Sequence, residues 1–316
     1  MVDKLDSLRP NSLSEFSGQP ELIRDLSIII NSAKAREQLP DHLLFSGPPG
    51  LGKTTLSYLI SNELNLPIIT TTGPSYTKAG DIASVLTSIS EPSILFIDEI
   101  HGLPAQSEEL LYPAMEDGFI DLFIGEGIKA RSVRIDLQPF LLIGATTKYG
   151  NLSSPLRDRF GYNGRFKLYN DADIKDILIR SSNILNISLS EEAAISIAKR
   201  SRGTPRIANK WLRRVRDYAE VNNKKSSIDS LLAEEALDSF GVDKLGLDDF
   251  GREILLTIIN NFSGGPVGLS TIATSVNENI TTLEEVYEPH LIRAGMLVKT
   301  PRGREVTKKA YNHLGL

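Results

Sequence analysis

The chain has 316 residues, enough for two or three domains that each bury a core of their own. Cysteine is absent, which excludes disulfides and thiolate zinc sites, and no apolar run approaches the roughly 20 residues of a membrane span. The N-terminal stretch lacks the apolar segment of a secretion signal, so we expect a cytoplasmic protein.

Charge is distributed unevenly along the chain. The net charge is −5, yet residues 199–216 hold eight Lys or Arg and no acid, and residues 291–316 hold six against one Glu. Basic segments on an acidic chain are compatible with directed contact to a polyanion. The four histidines lie far apart without the spacing of metal ligands, so we interpret them as ordinary surface or packing residues: His42, His101, His290 and His313.

Helices and strands are predicted to alternate in the first half of the chain. An amphipathic helix near 20–38 precedes further elements in this order: a strand at 43–45, a short strand in LPIITTTG, a helix near 79–90, a buried strand in SILFIDEI (93–100), a helix in LLYPAMEDG, a hairpin at 121–137 and a buried strand in FLLIGATT. Alternation of this kind predicts a parallel sheet covered on both faces.

The pattern changes near residue 171. Four helical segments without intervening strands run to about residue 240, and residues 241–249 are interpreted as a linker. Three further helices are predicted, near 248–262, 268–276 and 281–294. They precede a two-stranded wing built from MLVKT and EVT, and this order predicts a winged-helix domain. We therefore divide the chain into a large domain (1–168), a small helical domain (169–240) and a winged-helix domain (241–316).

The segment GPPGLGKT, residues 47–54, has the P-loop pattern between a strand and a helix. Glycines such as Gly50 and Gly52 let backbone N–H groups turn toward phosphates, Lys53 adds a charge at the β- and γ-phosphates, and the Thr54 hydroxyl can hold Mg²⁺. This pattern predicts an ATP site.

Acidic and polar residues end the two buried strands. Asp98 can hold Mg²⁺ through water, and Glu99 can orient or deprotonate the water that attacks the γ-phosphate. Thr146 and Thr147 end the next strand, where a hydroxyl either touches the γ-phosphate or the attacking water, or simply caps the strand. Arg206 begins a helix and either reaches the phosphates or is a solvated charge.

The arginines of SPLRDRF (153–159) complete a set that resembles the AAA+ ATPases, together with the P-loop, the Asp-Glu strand end, the threonine strand end and the GTPR stretch. That resemblance implies that Arg159 is a finger inserted into the ATP site of the next subunit, with Arg157 as the second choice. The alternative is an ion pair between Arg159 and Asp158 within the chain. Contacts of this heterologous kind close into rings.

Longer stretches resemble the RuvB family of bacterial Holliday junction branch-migration motors over nearly the whole chain, including DHLLFSGPPGLGKTTL, LFIDEIH, LYPAMEDG, IGATT, SPLRDRFG, RGTPRIANKWLRRVRDYAE, GGPVGL and TPRGR. The resemblance implies an α/β AAA+ P-loop domain with a parallel sheet, a small helical domain and a C-terminal winged helix. It also implies a ring of six subunits around double-stranded DNA, with RuvA docked on the hairpin and RuvC as a further partner.

The same resemblance implies roles for individual residues. Residues around the nucleotide would be Leu8, Arg9, Gly50, Lys53, Thr54, Thr55, Glu116, Asp117, Gly118, Tyr169 and Arg206. Ile124 and Ile128 would form the apolar contact with RuvA, unless they turn into the core. Lys299, Arg302 and Arg304 on the wing would meet DNA phosphates.

These residues predict an ATP-dependent DNA motor that drives Holliday junction branch migration in recombination and repair. Three alternatives remain at this point: a nucleotide-gated DNA-binding switch of the origin-recognition type, a clamp-loader subunit, and a protein-remodelling ATPase without DNA contact. The hairpin and the GGPVGL and TPRGR stretches argue against the first, and the winged helix and absent cysteines argue against the second.

Overall fold

The structure, a computed structural model, describes residues 8–124, 131–222 and 227–316. The chain forms two compact units, Met1–Tyr169 and Asn170–Leu316. Within the described residues, no helix combines the length and apolar character required for a membrane span.

The first unit is built on a parallel sheet and carries a separate hairpin. Its strands are β1 Leu43–Ser46, β2 Ile68–Thr72, β3 Ser93–Asp98, β4 Phe119–Ile124, β5 Arg131–Asp136, β6 Phe140–Thr146 and β7 Tyr162–Arg165. Five strands pair in the order β2-β3-β6-β1-β7, all parallel, while β4 and β5 pair antiparallel. The predicted parallel sheet and the predicted hairpin are therefore confirmed; the hairpin's tip, 125–130, lies outside the described residues.

One helix of the first unit precedes the sheet, and the other helices lie between its strands. They are α1 Pro20–Ala35, α2 Lys53–Leu64, α3 Ala79–Ser88, α4 Ala105–Glu116 and α5 Ser154–Asp158. Pro20 stands in the first turn of α1, where a missing N–H costs nothing, and the Ser153 side chain caps α5 by accepting from the Leu156 N–H.

The core of this unit lies on both faces of the central strands. Ile94, Leu95, Phe96 and Ile97 of β3 have no exposed surface, as the continuous apolar run predicts. His42 joins three elements around this core, because its Nδ1 accepts from the Leu142 N–H (2.9 Å) and its Nε2 lies 3.2 Å from the Met115 carbonyl oxygen at the end of α4. Burial lowers the pKa of His42, so the imidazole is a neutral packing residue.

The second unit contains the helical segments and the winged helix. Its elements are α6 Asp171–Ile184, α7 Glu191–Lys199, α8 Pro205–Val221, α9 Ser230–Ser239, α10 Asp249–Phe262, α11 Leu269–Ser275, α12 Ile280–Thr282, a π-helical turn at Leu283–Tyr287, α13 Glu288–Arg293, β8 Leu297–Thr300, β9 Gly303–Val306 and α14 Lys308–Leu314. β8 and β9 pair antiparallel as the predicted wing.

The segment between these two parts is packed rather than a loose linker. Val242 and Leu247 are buried. Arg202, which precedes α8, donates from Nε to the Gly246 carbonyl (2.7 Å), and Arg293 donates from Nη2 to the Arg202 carbonyl (2.9 Å). These contacts join the helical segments to the winged helix within one compact unit.

Candidate active site

The P-loop connects β1 to α2 in the first unit. Gly47, Gly50 and Gly52 have φ values of 141°, 78° and 103°, a region that L side chains rarely adopt. A Cβ on Gly47 would also lie 2.8 Å from the carbonyl oxygen of Phe166, next to β7. The loop can therefore bend its backbone N–H groups inward only because glycine occupies these positions.

Lys53 is the first residue of α2, and its side chain turns back over the loop. Its Nζ donates to the carbonyl oxygens of Gly47 (2.7 Å) and Pro48 (3.0 Å), and only 6% of the residue's surface is exposed. The ammonium group is thus held at the mouth of the loop, next to the N-terminus of α2, where phosphate oxygens are favoured.

Thr54 and Asp98 meet across the sheet edge. The Thr54 hydroxyl donates to Oδ2 of Asp98 at 3.4 Å, and Oδ1 of Asp98 accepts from the Glu99 N–H at 3.0 Å. A hydroxyl and a carboxylate oxygen this close are the donor types that Mg²⁺ takes when it keeps most of its waters. The pair therefore fits a magnesium site beside the P-loop.

Glu99 follows β3 in the left-handed region, at φ 47°. Its Oε2 accepts from the Thr147 hydroxyl (3.0 Å) and from the Thr147 N–H (3.3 Å). The Thr146 side chain is completely buried and bonds instead to Nδ1 of His101 (2.9 Å) and the Lys148 N–H (2.9 Å). Thr146 is the last residue of β6, and Thr147, the residue that follows the strand, is the threonine in contact with Glu99.

Arg159 ends α5 and lies along the surface of its own unit. Its Nη1 donates to the Pro155 carbonyl (2.8 Å), and its Nη2 donates to Oε2 of Glu116 (3.2 Å). The guanidinium also lies 4.4 Å from the centre of the Tyr112 ring, a cation–π distance. With 22% of its side chain exposed and its Nε buried, Arg159 is partly buried at the surface of its unit.

The predicted alternative, a pair between Arg159 and Asp158, is not what the structure contains. Asp158 accepts from the Ser154 hydroxyl at 3.4 Å, and Glu116 is the carboxylate that pairs with Arg159. Arg157 lies 5.3 Å from the centre of the Tyr149 ring. The two arginines of this segment therefore lie against different aromatic rings.

Three of the residues expected around the nucleotide lie in the sequence before the first strand or after the last strand of the sheet. Leu8 is buried, and the Arg9 guanidinium lies 4.9 Å from the Tyr58 ring on α2. The Tyr169 hydroxyl donates to the Leu51 carbonyl at 3.0 Å. Sequence reasoning missed Phe16, whose ring would lie 3.1 Å from a side chain at Gly52; no local motif announces that contact.

The hairpin carries a charged pair on one face. Arg134 donates two hydrogen bonds to Asp121 (3.0 and 2.9 Å), and its guanidinium lies 3.7 Å from the Phe119 ring. Hydrogen bonding from Arg134 lowers the pKa of Asp121. Ile124 ends β4, and Ile128 lies outside the described residues, so their proposed contact with RuvA stays a prediction.

The second unit carries the remaining predicted residues. Arg206 is exposed in the first turn of α8, and Lys299 and Arg302 are exposed on the wing. Arg304 differs, because its Nε and Nη2 donate to both carboxylate oxygens of Glu288 (2.9 and 3.0 Å), with 13% and 7% of the two side chains exposed. The expectation that Arg304 meets DNA is therefore revised: it ties the wing to α13.

The P-loop follows β1, the Asp-Glu pair ends β3, and the threonines lie at the end of β6, the strand between those two. Together with the arginine after α5, this arrangement defines a P-loop protein of the AAA+ class. Three family models match the chain in order: "Holliday junction DNA helicase RuvB P-loop domain" over residues 8–166, "RuvB AAA lid domain" over 169–243 and "RuvB C-terminal winged helix domain" over 244–315. The chain belongs to the RuvB family, which implies nucleotide binding.

Individual relatives agree with this assignment. The Holliday junction branch migration complex subunit RuvB of Fusobacterium nucleatum is 54% identical over 97% of this chain and 92% of that protein. The subunit of the same description from Lawsonia intracellularis is 49% identical over 99% and 92%. A solved structure described as the Thermotoga maritima RuvB Holliday junction branch migration motor has a TM-score of 0.88 at 47% identity, covering 98% of both chains.

Proposed function

We propose that this chain is the ATP-driven motor subunit of a complex that moves Holliday junctions. The observation that carries the proposal is that one chain of the RuvB family joins a complete phosphate-binding edge to a winged helix with exposed basic residues. The names of the relatives favour this function over the origin-recognition switch, the clamp-loader subunit and the protein-remodelling ATPase.

Each residue of the site has one task in ATP hydrolysis. Backbone N–H groups of the loop and Lys53 bind the phosphates, and Thr54 and Asp98 would hold Mg²⁺, which supplies charge neutralisation between the β- and γ-phosphates. Glu99 accepts a proton from the water that attacks the γ-phosphate. Arg159 of a neighbouring subunit stabilises the negative charge that develops on the transferred phosphoryl group.

Assembly follows from the same arginine. Because Arg159 is at the surface of the first unit, it can reach an ATP site in another subunit, and a head-to-tail contact of this kind closes into a ring. We propose a ring of six around double-stranded DNA. RuvA binds the hairpin through Ile124 and Ile128, and RuvC is a further partner of the complex.

Contacts to DNA are proposed at the wing. Lys299 and Arg302 would bind phosphates, so binding is sensitive to salt and tolerant of sequence. Replacing both with Ala is expected to weaken duplex binding and to reduce the slope of log affinity against log salt by about 2. Binding isotherms at several salt concentrations measure this slope, and an unchanged slope would contradict the assignment.

Arg304→Ala is the matched control for the substitutions of Lys299 and Arg302. Removing one partner of the buried Arg304–Glu288 pair leaves a carboxylate without its cation, which costs about 3 kcal/mol of unfolding free energy. We expect lower stability of the winged helix in denaturant unfolding, whereas Lys299→Ala and Arg302→Ala, both at exposed positions, retain the stability of the unaltered protein.

The function itself is tested by mixing the protein with ATP, RuvA and a synthetic four-way junction, and following exchange of the labelled arms. Exchange is expected with ATP and absent in Lys53→Ala, which lacks the phosphate-binding charge. If DNA stimulates ATP hydrolysis but the junction arms never exchange, the chain is a nucleotide-gated switch instead. Hydrolysis that DNA does not stimulate would favour a protein-remodelling ATPase.

A further inference from the structure

His101 makes two polar contacts beside the base. Its Nδ1 lies 2.9 Å from the Thr146 hydroxyl and 3.2 Å from Oε2 of Glu99, with 16% of its side chain exposed. The same Glu99 oxygen accepts both hydrogen bonds from Thr147. The Glu99 carboxylate, itself partly exposed, is therefore held by both His101 and Thr147.

The backbone around His101 is fixed by a close contact with the turn Gly73–Ser75. The Gly102 N–H donates to the Glu99 carbonyl (2.8 Å), and the Leu103 N–H donates to the Ile100 carbonyl (3.1 Å). A Cβ on Gly73 would collide with the Glu99 carbonyl oxygen, and one on Gly102 would lie 2.8 Å from the Pro74 ring. These contacts fix the main chain from which the His101 side chain extends.

The second partner of His101 Nδ1, the Thr146 hydroxyl, is itself held in place. Thr146 is completely buried at the end of β6, and its hydroxyl oxygen also accepts from the Lys148 N–H at 2.9 Å. A side chain locked by two hydrogen bonds is a firm anchor for a neighbouring ring. His101 thus links the carboxylate of Glu99 to β6, the central strand of the sheet.

We infer that His101 is a positioning residue for Glu99, and that Thr146 acts through His101 rather than by touching the γ-phosphate. The inference rests on the proposed function, since it takes Glu99 as the base of ATP hydrolysis. A base accelerates proton removal only from within hydrogen-bond reach of the water, and a misplacement of 1 Å costs about 10²-fold in rate. His101 and Thr147 together restrict the carboxylate to one arrangement at the sheet edge.

Two substitutions at His101 test whether a polar group at the place of Nδ1 is what matters, independently of the imidazole ring. The amide of Asn reaches the place of Nδ1, whereas the amide of Gln reaches the place of Nε2. We expect His101→Gln to lower kcat by about 10- to 100-fold with KM for ATP nearly unchanged. We expect His101→Asn to recover most of that loss. His313→Gln, at the histidine 2.7 Å from Asp243 in the second unit, is the matched control and should retain the kcat measured without DNA.

A double-mutant cycle with Glu99→Gln adds a readout that a loss of stability would not reproduce. If His101 acts by positioning the Glu99 carboxylate, His101→Gln has no further effect on kcat once Glu99 is Gln. If His101→Gln lowers kcat by the same factor in the unaltered protein and in Glu99→Gln, the inference is overturned. A kcat for His101→Gln within twofold of that of the unaltered protein would also overturn it. Absence of ATP hydrolysis in the unaltered protein would instead overturn the proposed function, so the two failures are distinguishable.

Discussion

Arg159→Ala is expected to reduce ATP hydrolysis by at least about 10³-fold while ATP affinity stays within a few-fold of the unaltered protein. The guanidinium contributes charge only where the transferred phosphoryl group becomes more negative, so its removal raises the barrier without weakening ground-state binding. Steady-state hydrolysis and equilibrium binding of a fluorescent ATP analogue measure the two quantities separately.

Stability should change little in this variant. The partner of Arg159 is Glu116, whose side chain is 54% exposed, and exposed pairs contribute at most about 1 kcal/mol. Arg157→Ala is the matched control, because Arg157 lies two residues away against the Tyr149 ring. If Arg157→Ala abolishes hydrolysis and Arg159→Ala does not, the finger is Arg157; if neither does, the site has no arginine finger in this segment.

Glu99→Gln is expected to lower the rate of ATP hydrolysis by about 10²- to 10⁴-fold, since the amide cannot accept the proton of the attacking water. ATP binding should persist, because the phosphate-binding groups and the Thr54–Asp98 pair are unaltered. The amide oxygen of Gln can still accept from Thr147, which makes this the least disruptive replacement. Single-turnover hydrolysis measures the loss, and a rate within threefold of the unaltered protein would remove Glu99 from the role of base.

Much of the first unit could be predicted from local patterns. The runs SILFID and FLLIGAT became central strands because a strand buried on both faces has to be apolar throughout. The P-loop was recognisable because its glycines occupy a backbone region closed to other residues. The RuvB family and its AAA+ fold, predicted from longer stretches, were confirmed by three matching family models.

Two elements with weak local signals were missed. β7, Tyr162–Arg165, has no apolar run, and it pairs with β1 at the edge of the sheet. α14, Lys308–Leu314, is a short helix after the wing whose start depends on the Thr307 cap. The residues of β7 carry little information because its partner β1 is distant in sequence, and α14 offered only the short cap signal at Thr307.

Partners of the site residues were also beyond sequence reasoning. DEIH and IGATT predicted a base and a polar strand end, but not that Thr147 would contact Glu99 while Thr146 contacts His101. Likewise, Arg304 belongs to a basic wing by pattern, yet Glu288 lies 16 residues earlier and pairs with it only in the folded winged helix. Spacing predicts which residues gather at one edge, whereas the contacts depend on side-chain packing.

The proposal that hydrolysis needs a cation from an adjoining subunit is tested most directly by mixing two inactive proteins. Arg159→Ala retains a base but lacks the finger, and Glu99→Gln retains the finger but lacks the base. Titrating one into the other and measuring ATP hydrolysis should restore activity, with a maximum at intermediate ratios, because mixed interfaces contain one complete site. Turnover that stays at the background of the separate proteins at every ratio, although the two co-assemble, would contradict a finger that acts between subunits.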